Sequence, residues 1–247
     1  LIIFEPDFKK IDMSNSSFQF KEFTVLQDKC AMKVGTDGVL LGAWAPMNDV
    51  KCVLDVGTGT GLIALQLAQR NKQARITALE IDFAAVTQAT ENVFRSPWAD
   101  RIKVICHDFQ TYNPENKFDL IVSNPPYFVD AMKCPDKQRC MARHASGLNY
   151  ISLFRKAARL LTEGGMISII IPSEAEKMVM DAAWDSRLFP LRRMLVFTKP
   201  GKPCRRILLA FSFQEKECVQ ESLCIETEYN EYTTEYIALT KDFYLKM

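Results

Sequence analysis

The chain has 247 residues, 48% of them hydrophobic, and a formal net charge of +1 at pH 7. That length allows one large α/β domain or two small ones, and that balance excludes bulk electrostatic attraction to nucleic acid, so any basic face must be local. No apolar run is long enough to span a membrane and no secretory signal is read. The cysteines are scattered without a Cys-x-x-Cys pair, which suits a reducing cytosol rather than a disulfide framework.

Residues 1–12 precede Met13 and are expected to be a weakly ordered extension, with 13–247 forming a single domain. Phe18, Phe20, Phe23 and Val25 predict extended structure, a small hairpin with the stretch near Met32. Two glycines around Thr36-Asp37 mark a loop, and the apolar run Val39 to Trp44 reads as a helix ended near Pro46. Cys52 to Val56 is a buried strand that runs through Gly57-Thr58-Gly59-Thr60-Gly61 into an amphipathic helix from Leu62 to Ala68. Ile76 to Leu79 is a second strand, ending at Glu80-Ile81-Asp82, followed by a helix from Phe83 to Phe94. Ile102 to Cys106 is a third, ending at His107-Asp108-Phe109. Phe118 to Ser123 is a fourth, ending at Asn124. After a long polar loop come a helix from Tyr150 to Leu161, a stop and turn at Glu163-Gly164-Gly165, a fifth strand from Met166 to Ile171 and a helix from Glu174 to Asp185. Leu195 to Phe197 and Ile207 to Phe213 read as two antiparallel closing strands joined by Lys199-Pro200-Gly201-Lys202-Pro203. Tyr232, Tyr236, Leu239 and Phe243 recur at the spacing of a docked terminal helix. This alternation predicts an α/β fold, a doubly wound and mostly parallel sheet, with no linker long enough to divide it.

The chemistry gathers at the carboxyl ends of the predicted strands, where open α/β sheets bind ligands. Gly57, Gly59 and Gly61 let backbone amides approach a ligand closely and tolerate a sharp turn. The dinucleotide fingerprint places its third glycine one residue later, where this chain has Leu62. Asp55, just inside the loop, would repel a pyrophosphate and favour a cation. Glu80 is placed to accept from ribose hydroxyls and Asp108 from an adenine amine, with Ile81 and Phe109 able to sandwich the ring. Taken singly, each acid also reads as a helix cap or a solvated strand end. Together they ask for a positively charged nucleoside without phosphate, a description that S-adenosylmethionine meets. At the fourth strand tip, two prolines break the ladder and leave the Asn124 amide, backbone carbonyls and the Tyr127 ring side by side. That set suits a planar amine on a flat group; the alternative is a rigid turn with a packing tyrosine.

Val53 to Gly61 resembles the first motif of the class I S-adenosylmethionine-dependent methyltransferases. Asn124-Pro125-Pro126-Tyr127 resembles the catalytic motif of their amino-methyltransferase branch, which acts on adenine, guanine or glutamine amines. The stretch Met32 to Trp44, with Lys199 to Pro203, Arg205-Arg206 and the terminal Asp242-Phe243-Tyr244-Leu245, is similar to the bacterial tRNA (adenine-N6)-methyltransferase family that acts beside the anticodon of valine tRNA. The likeness runs from about Phe18 to the carboxyl end. It implies a Rossmann-like class I methyltransferase fold, a seven-stranded sheet with the last strand antiparallel, S-adenosylmethionine as cofactor and tRNA as partner. It also implies that Gly35-Thr36-Asp37 closes over the methionine end of the cofactor; the alternative there is a plain strand–helix loop.

On this resemblance, the Asn124 side chain and the Pro125 carbonyl accept from the adenine amine, and Tyr127 stacks on the base. Orientation of that kind supplies roughly 7–11 kcal/mol, and stacking about 1–3 kcal/mol. Lys199, Lys202, Arg205 and Arg206, with Arg192 and Arg193 nearby, are candidates to grip RNA; the alternative is a charged edge that resists aggregation. The loop from Asp130 to Gly147, with Arg143 and His144, is a candidate lid. Cys134, Cys140 and His144 match no common zinc spacing and lack a fourth ligand, so no metal is expected. The cytoplasm and a monomer are expected. Two other readings stay open: methylation of a glutamine amide in a protein, and an inactive RNA-binding methyltransferase fold. Against the first, those enzymes carry a substantial helical domain ahead of the glycine motif, and the roughly fifty residues before it here do not read as a helical bundle. A DNA adenine methyltransferase lacks support because no inserted target-recognition segment is found.

Overall fold

Strands buried on both faces form the middle of the molecule, and their apolar runs are the reason. The structure, a computed structural model, describes residues 16–30, 32–126 and 149–247. The expectations for residues 1–12 and for the 130–147 loop therefore lie outside the described residues. In chain order the elements are β1 (Ser17–Gln19), β2 (Thr24–Leu26), α1 (Thr36–Trp44), β3 (Cys52–Val56), α2 (Leu62–Arg70), β4 (Arg75–Glu80), α3 (Phe83–Phe94), β5 (Ile102–Cys106) and β6 (Phe118–Ser123). They continue with α4 (Tyr150–Leu160), β7 (Leu161–Pro172), a 3-10 turn (Ser173–Ala175), α5 (Glu176–Asp185), β8 (Phe189–Phe197), β9 (Arg206–Ser212), β10 (Val219–Cys224) and α6 (Thr234–Thr240).

The main sheet runs β10-β8-β9-β7-β6-β3-β4-β5. β9 is antiparallel to β7 and β8, and the other pairings in this sheet are parallel. Successive residues feed opposite faces. Val53, Leu120, Val122, Leu208 and Ala210 pack with α1 and α2, whereas Leu54, Ile121, Ile207, Leu209 and Phe211 pack with α4 and α5. Two cores on two faces make the sheet doubly wound. On the first face α1 and α2 approach closely: a Cβ at Gly42 would stand 2.3 Å from the Gln66 side chain.

Several expectations change. The sheet has one strand more than the resemblance implies. The addition is β10, where Leu223 is the one fully buried residue, so no apolar run announces it. The amino-terminal hairpin pairs β1 with β2, Phe18 opposite Val25, rather than with the stretch near Met32. Its turn closes locally through Phe20 N–H to Phe23 O at 2.8 Å and through stacked Phe20 and Phe23 rings, a cheaper closure than a longer loop. Thr36 and Asp37 are the first turn of α1, not a loop. Glu163-Gly164-Gly165 is no helix stop: β7 begins directly at Leu161, and the register against β6 shifts between Phe118 and Leu120. A Cβ at Gly165 would meet Phe118 O at 2.9 Å, which is why glycine stands there.

Candidate active site

The parallel strands β3, β4, β5 and β6 end on one edge of the sheet, and a cavity of about 700 Å³ opens over their tips. The chain leaves β3 through three glycines with positive φ: Gly57 at 72°, Gly59 at 56° and Gly61 at 84°. The Gly57 and Thr58 amides donate to Leu79 O, both at 2.9 Å, so the loop folds across the end of β4. Gly57 and Gly59 line the cavity, and a Cβ at either would meet no atom within 4 Å. The space beside their backbone is open for a ligand. Gly61 serves another purpose: it is the N-cap of α2, its Cβ position lies 3.5 Å from Ala89, and it is not on the cavity wall.

Glu80 and Asp108 stand on the wall at the tips of β4 and β5, with Ile81 and Phe109 beside them. Glu80 is heavily used already. Its Oε2 accepts from the Gly59 amide at 2.9 Å, and its Oε1 from the Ile81 and Asp82 amides at 2.9 and 3.1 Å. A carboxylate offers about four acceptor positions, so about one remains, enough for one ribose hydroxyl rather than two. Asp108 Oδ1 accepts from the Gln110 amide at 2.8 Å. The expectation that Asp55 faces a cationic ligand is not met. Asp55 is fully enclosed beneath the loop; its Oδ2 accepts from the Thr58 hydroxyl at 2.6 Å, and its Oδ1 has no partner within hydrogen-bond distance and angle among the described residues. Burial, with the Glu80 charge nearby, pushes its pKa up to about 7, against the Thr58 hydroxyl and the Ala64 backbone amide, which hold it down.

Asn124 is half-buried on the same wall, with Pro125 and Pro126 after it. Its side chain makes no hydrogen bond to another described residue, so its amide is available to a ligand. Below it Ser123 is held by its hydroxyl bond to Val56 O at 2.9 Å. Tyr127, Arg143 and His144 lie outside the described residues. Gly35, Thr36 and Asp37 also line the cavity, together with Met32 and Lys33 from the start of the stretch that carries the family resemblance and Cys30, which no sequence pattern singles out. The segment leading to them is strapped to α3: Asn92 accepts from Leu26 N–H and donates to Leu26 O and to Thr60 O of the glycine loop, and Gln88 accepts from the Lys29 amide. Burial pushes the Cys30 thiol up to about 11, so at neutral pH it is wall rather than nucleophile. Among the described residues the wall carries four carboxylates (Asp37, Glu80, Asp82, Asp108) and one ammonium (Lys33). An open glycine cradle with that charge balance fits a cationic nucleoside and not a polyphosphate. No cluster that could hold a metal ion occurs among the described residues.

Of the predicted RNA-binding cations, four are engaged internally. Arg192 pairs with Glu221 at 3.0 Å and lies over the Trp44 ring, Arg193 pairs with Glu176, and Arg206 pairs with Asp37 at 2.8 Å. Lys199 bonds Asn230 and approaches Glu226 at 3.6 Å. Lys202 and Arg205 are exposed, with no ion-pair partner among the described residues.

The chain is similar in fold to a predicted O-methyltransferase from Agrobacterium tumefaciens, with a TM-score of 0.68 at 19% identity over 84% of this chain and 96% of that one. A ribosomal protein L11 methylase from Lactobacillus delbrueckii gives 0.53 at 20% identity over 72% and 77%. The family model described as the methyltransferase small domain matches residues 34–183. A tRNA1(Val) (adenine(37)-N6)-methyltransferase of Bacteroides fragilis is 52% identical over 95% of this chain and all of its own length. The protein of the same name from Pectobacterium carotovorum is 44% identical over 96% of this chain and 97% of its own. With the glycine cradle and the Asn124 amide on one cavity wall, and with these relatives matched over nearly all of both chains, the chain belongs to the methyltransferase small-domain family and to the bacterial tRNA1(Val) (adenine(37)-N6)-methyltransferases.

Proposed function

We propose that this protein methylates the exocyclic N6 amine of an adenosine in tRNA, adenosine 37 of valine tRNA, with S-adenosylmethionine as donor. One observation carries the reading: a single cavity joins the open cradle at Gly57 and Gly59 to the Asn124 amide, which bonds no other described residue. The relatives' shared name supports the choice of acceptor. When bound, the cofactor supplies a methyl group made electrophilic by its sulfonium. The chain's own residues bind and orient. Glu80 takes a ribose hydroxyl, Asp108 the cofactor's adenine amine, and Ile81 and Phe109 the faces of that ring. The Asn124 oxygen and the Pro125 carbonyl accept from the target amine, favouring a pyramidal nitrogen whose lone pair is free to react. Tyr127 stacks on the target base, and Arg143 and His144 approach the RNA. Lys202 and Arg205 contact phosphates. The enzyme works as a monomer in the cytoplasm, where its cysteines stay reduced.

Labelled S-adenosylmethionine offered with total tRNA, total protein and DNA in parallel tests this. Label is expected in tRNA, as N6-methyladenosine. Label in protein glutamine would replace the acceptor, and donor binding without transfer to any of the three would make the chain an inactive fold.

A further inference from the structure

The first turn of α1 forms part of the cavity wall, yet little local structure holds it. Its N-cap is Gly35, which makes no side-chain cap, and the first helical bond, Val39 N–H to Gly35 O, is long at 3.3 Å. One side chain that reaches it comes from 169 residues away. Arg206 Nε donates to Asp37 Oδ2 at 2.8 Å, and both side chains are about three-quarters buried. Arg206 is a firm anchor, because it opens β9, paired with Pro172 of β7 on one side and Val196 of β8 on the other. Arg206 is not itself on the cavity wall; Asp37 is.

We infer that Arg206 is a positioning residue: through Asp37 it sets the cofactor-facing turn of α1 from the start of β9, a strand paired on both sides. The inference rests on the reading of the cavity as the cofactor site. A competing role for the pair is to neutralise Asp37, and the two roles differ in sign. If the arginine only cancels charge, Arg206→Gln leaves the wall more acidic and tightens a cationic ligand while Asp37→Asn weakens it. If it positions, both weaken any ligand of the cavity.

The test is calorimetry with S-adenosylhomocysteine, which lacks the sulfonium charge, on wild-type, Arg206→Gln, Arg206→Lys, Asp37→Asn and the double variant, with thermal melts on each. Arg206→Gln and Asp37→Asn are each expected to raise the Kd roughly fivefold, Arg206→Lys less, and the double variant no more than either single one. In turnover the KM for the donor should rise by more than kcat falls. Affinity within twofold of wild type in Arg206→Gln, or fully additive single effects, overturns the inference alone. No binding by the wild type sinks both it and the reading of the cavity.

Discussion

Asn124 follows a strand whose last four residues are buried, and its half-buried side chain makes no hydrogen bond to another described residue. Asn124→Ala is expected to keep S-adenosylhomocysteine affinity within about threefold and to lower methyl transfer at least a hundredfold, the scale of losing one hydrogen-bonding group aimed at developing charge. Turnover near wild type would remove Asn124 from the chemistry. Asp55 makes a different prediction. Its pKa is about 7 in the fold against an ordinary 3.8, so between those values the folded state holds more proton than the unfolded chain. Stability is fullest below that window and falls as pH rises through it, by roughly 2–3 kcal/mol between pH 5 and pH 8 from this group. Urea unfolding at the two pH values measures it: the fall should be smaller by that amount in Asp55→Asn, and equal falls would contradict the assignment. The aspartate also shows where sequence reading stops. A carboxylate beside a glycine loop reads as facing the ligand, and the enclosure that turns it inward is made by packing, with Thr58 as its partner.

Among elements, the strands whose tips build the cavity were legible because β3 and β6, buried on both faces, are near-continuous apolar runs, and β4 and the edge strand β5 still carry apolar residues between turn signals. Their acidic tips, Glu80 and Asp108, were legible with them. β10 was not, because an edge strand with Leu223 as its one fully buried residue has no such run. The start of α1 was not, because its holding partner Arg206 is remote in sequence. Yet β10 is integral to the fold through Glu221, which accepts from the Trp44 indole at 3.1 Å and pairs with Arg192, whose guanidinium lies 4.5 Å from the Trp44 ring centre. Glu221→Ala strands both donors at a cost of about 1–3 kcal/mol. For a chain of this size that lowers the melting temperature by a few degrees, roughly 2–4 °C per kcal/mol. A melt superimposable on wild type would show that β10 is held by other means.

Over the whole molecule, a net charge near zero conceals a division: an acidic cavity wall, and an exposed pair of cations, Lys202 and Arg205, on the β8–β9 hairpin. tRNA affinity should fall with rising salt, and the slope of log K against log salt should lessen by about one each for Lys202→Ala and Arg205→Ala. Lys199→Ala, whose ammonium is held by Asn230 and Glu226, should change it little; an equal change would mean those internal partners yield to RNA. The central claim, that one cavity holds the donor beside the asparagine that receives the target amine, is tested most directly by a crystal structure with S-adenosylhomocysteine. The account predicts ligand density against Gly57 and Gly59, the ribose at Glu80 and the sulfur facing Asn124. Density elsewhere, or a sulfur turned away from residue 124, would contradict it.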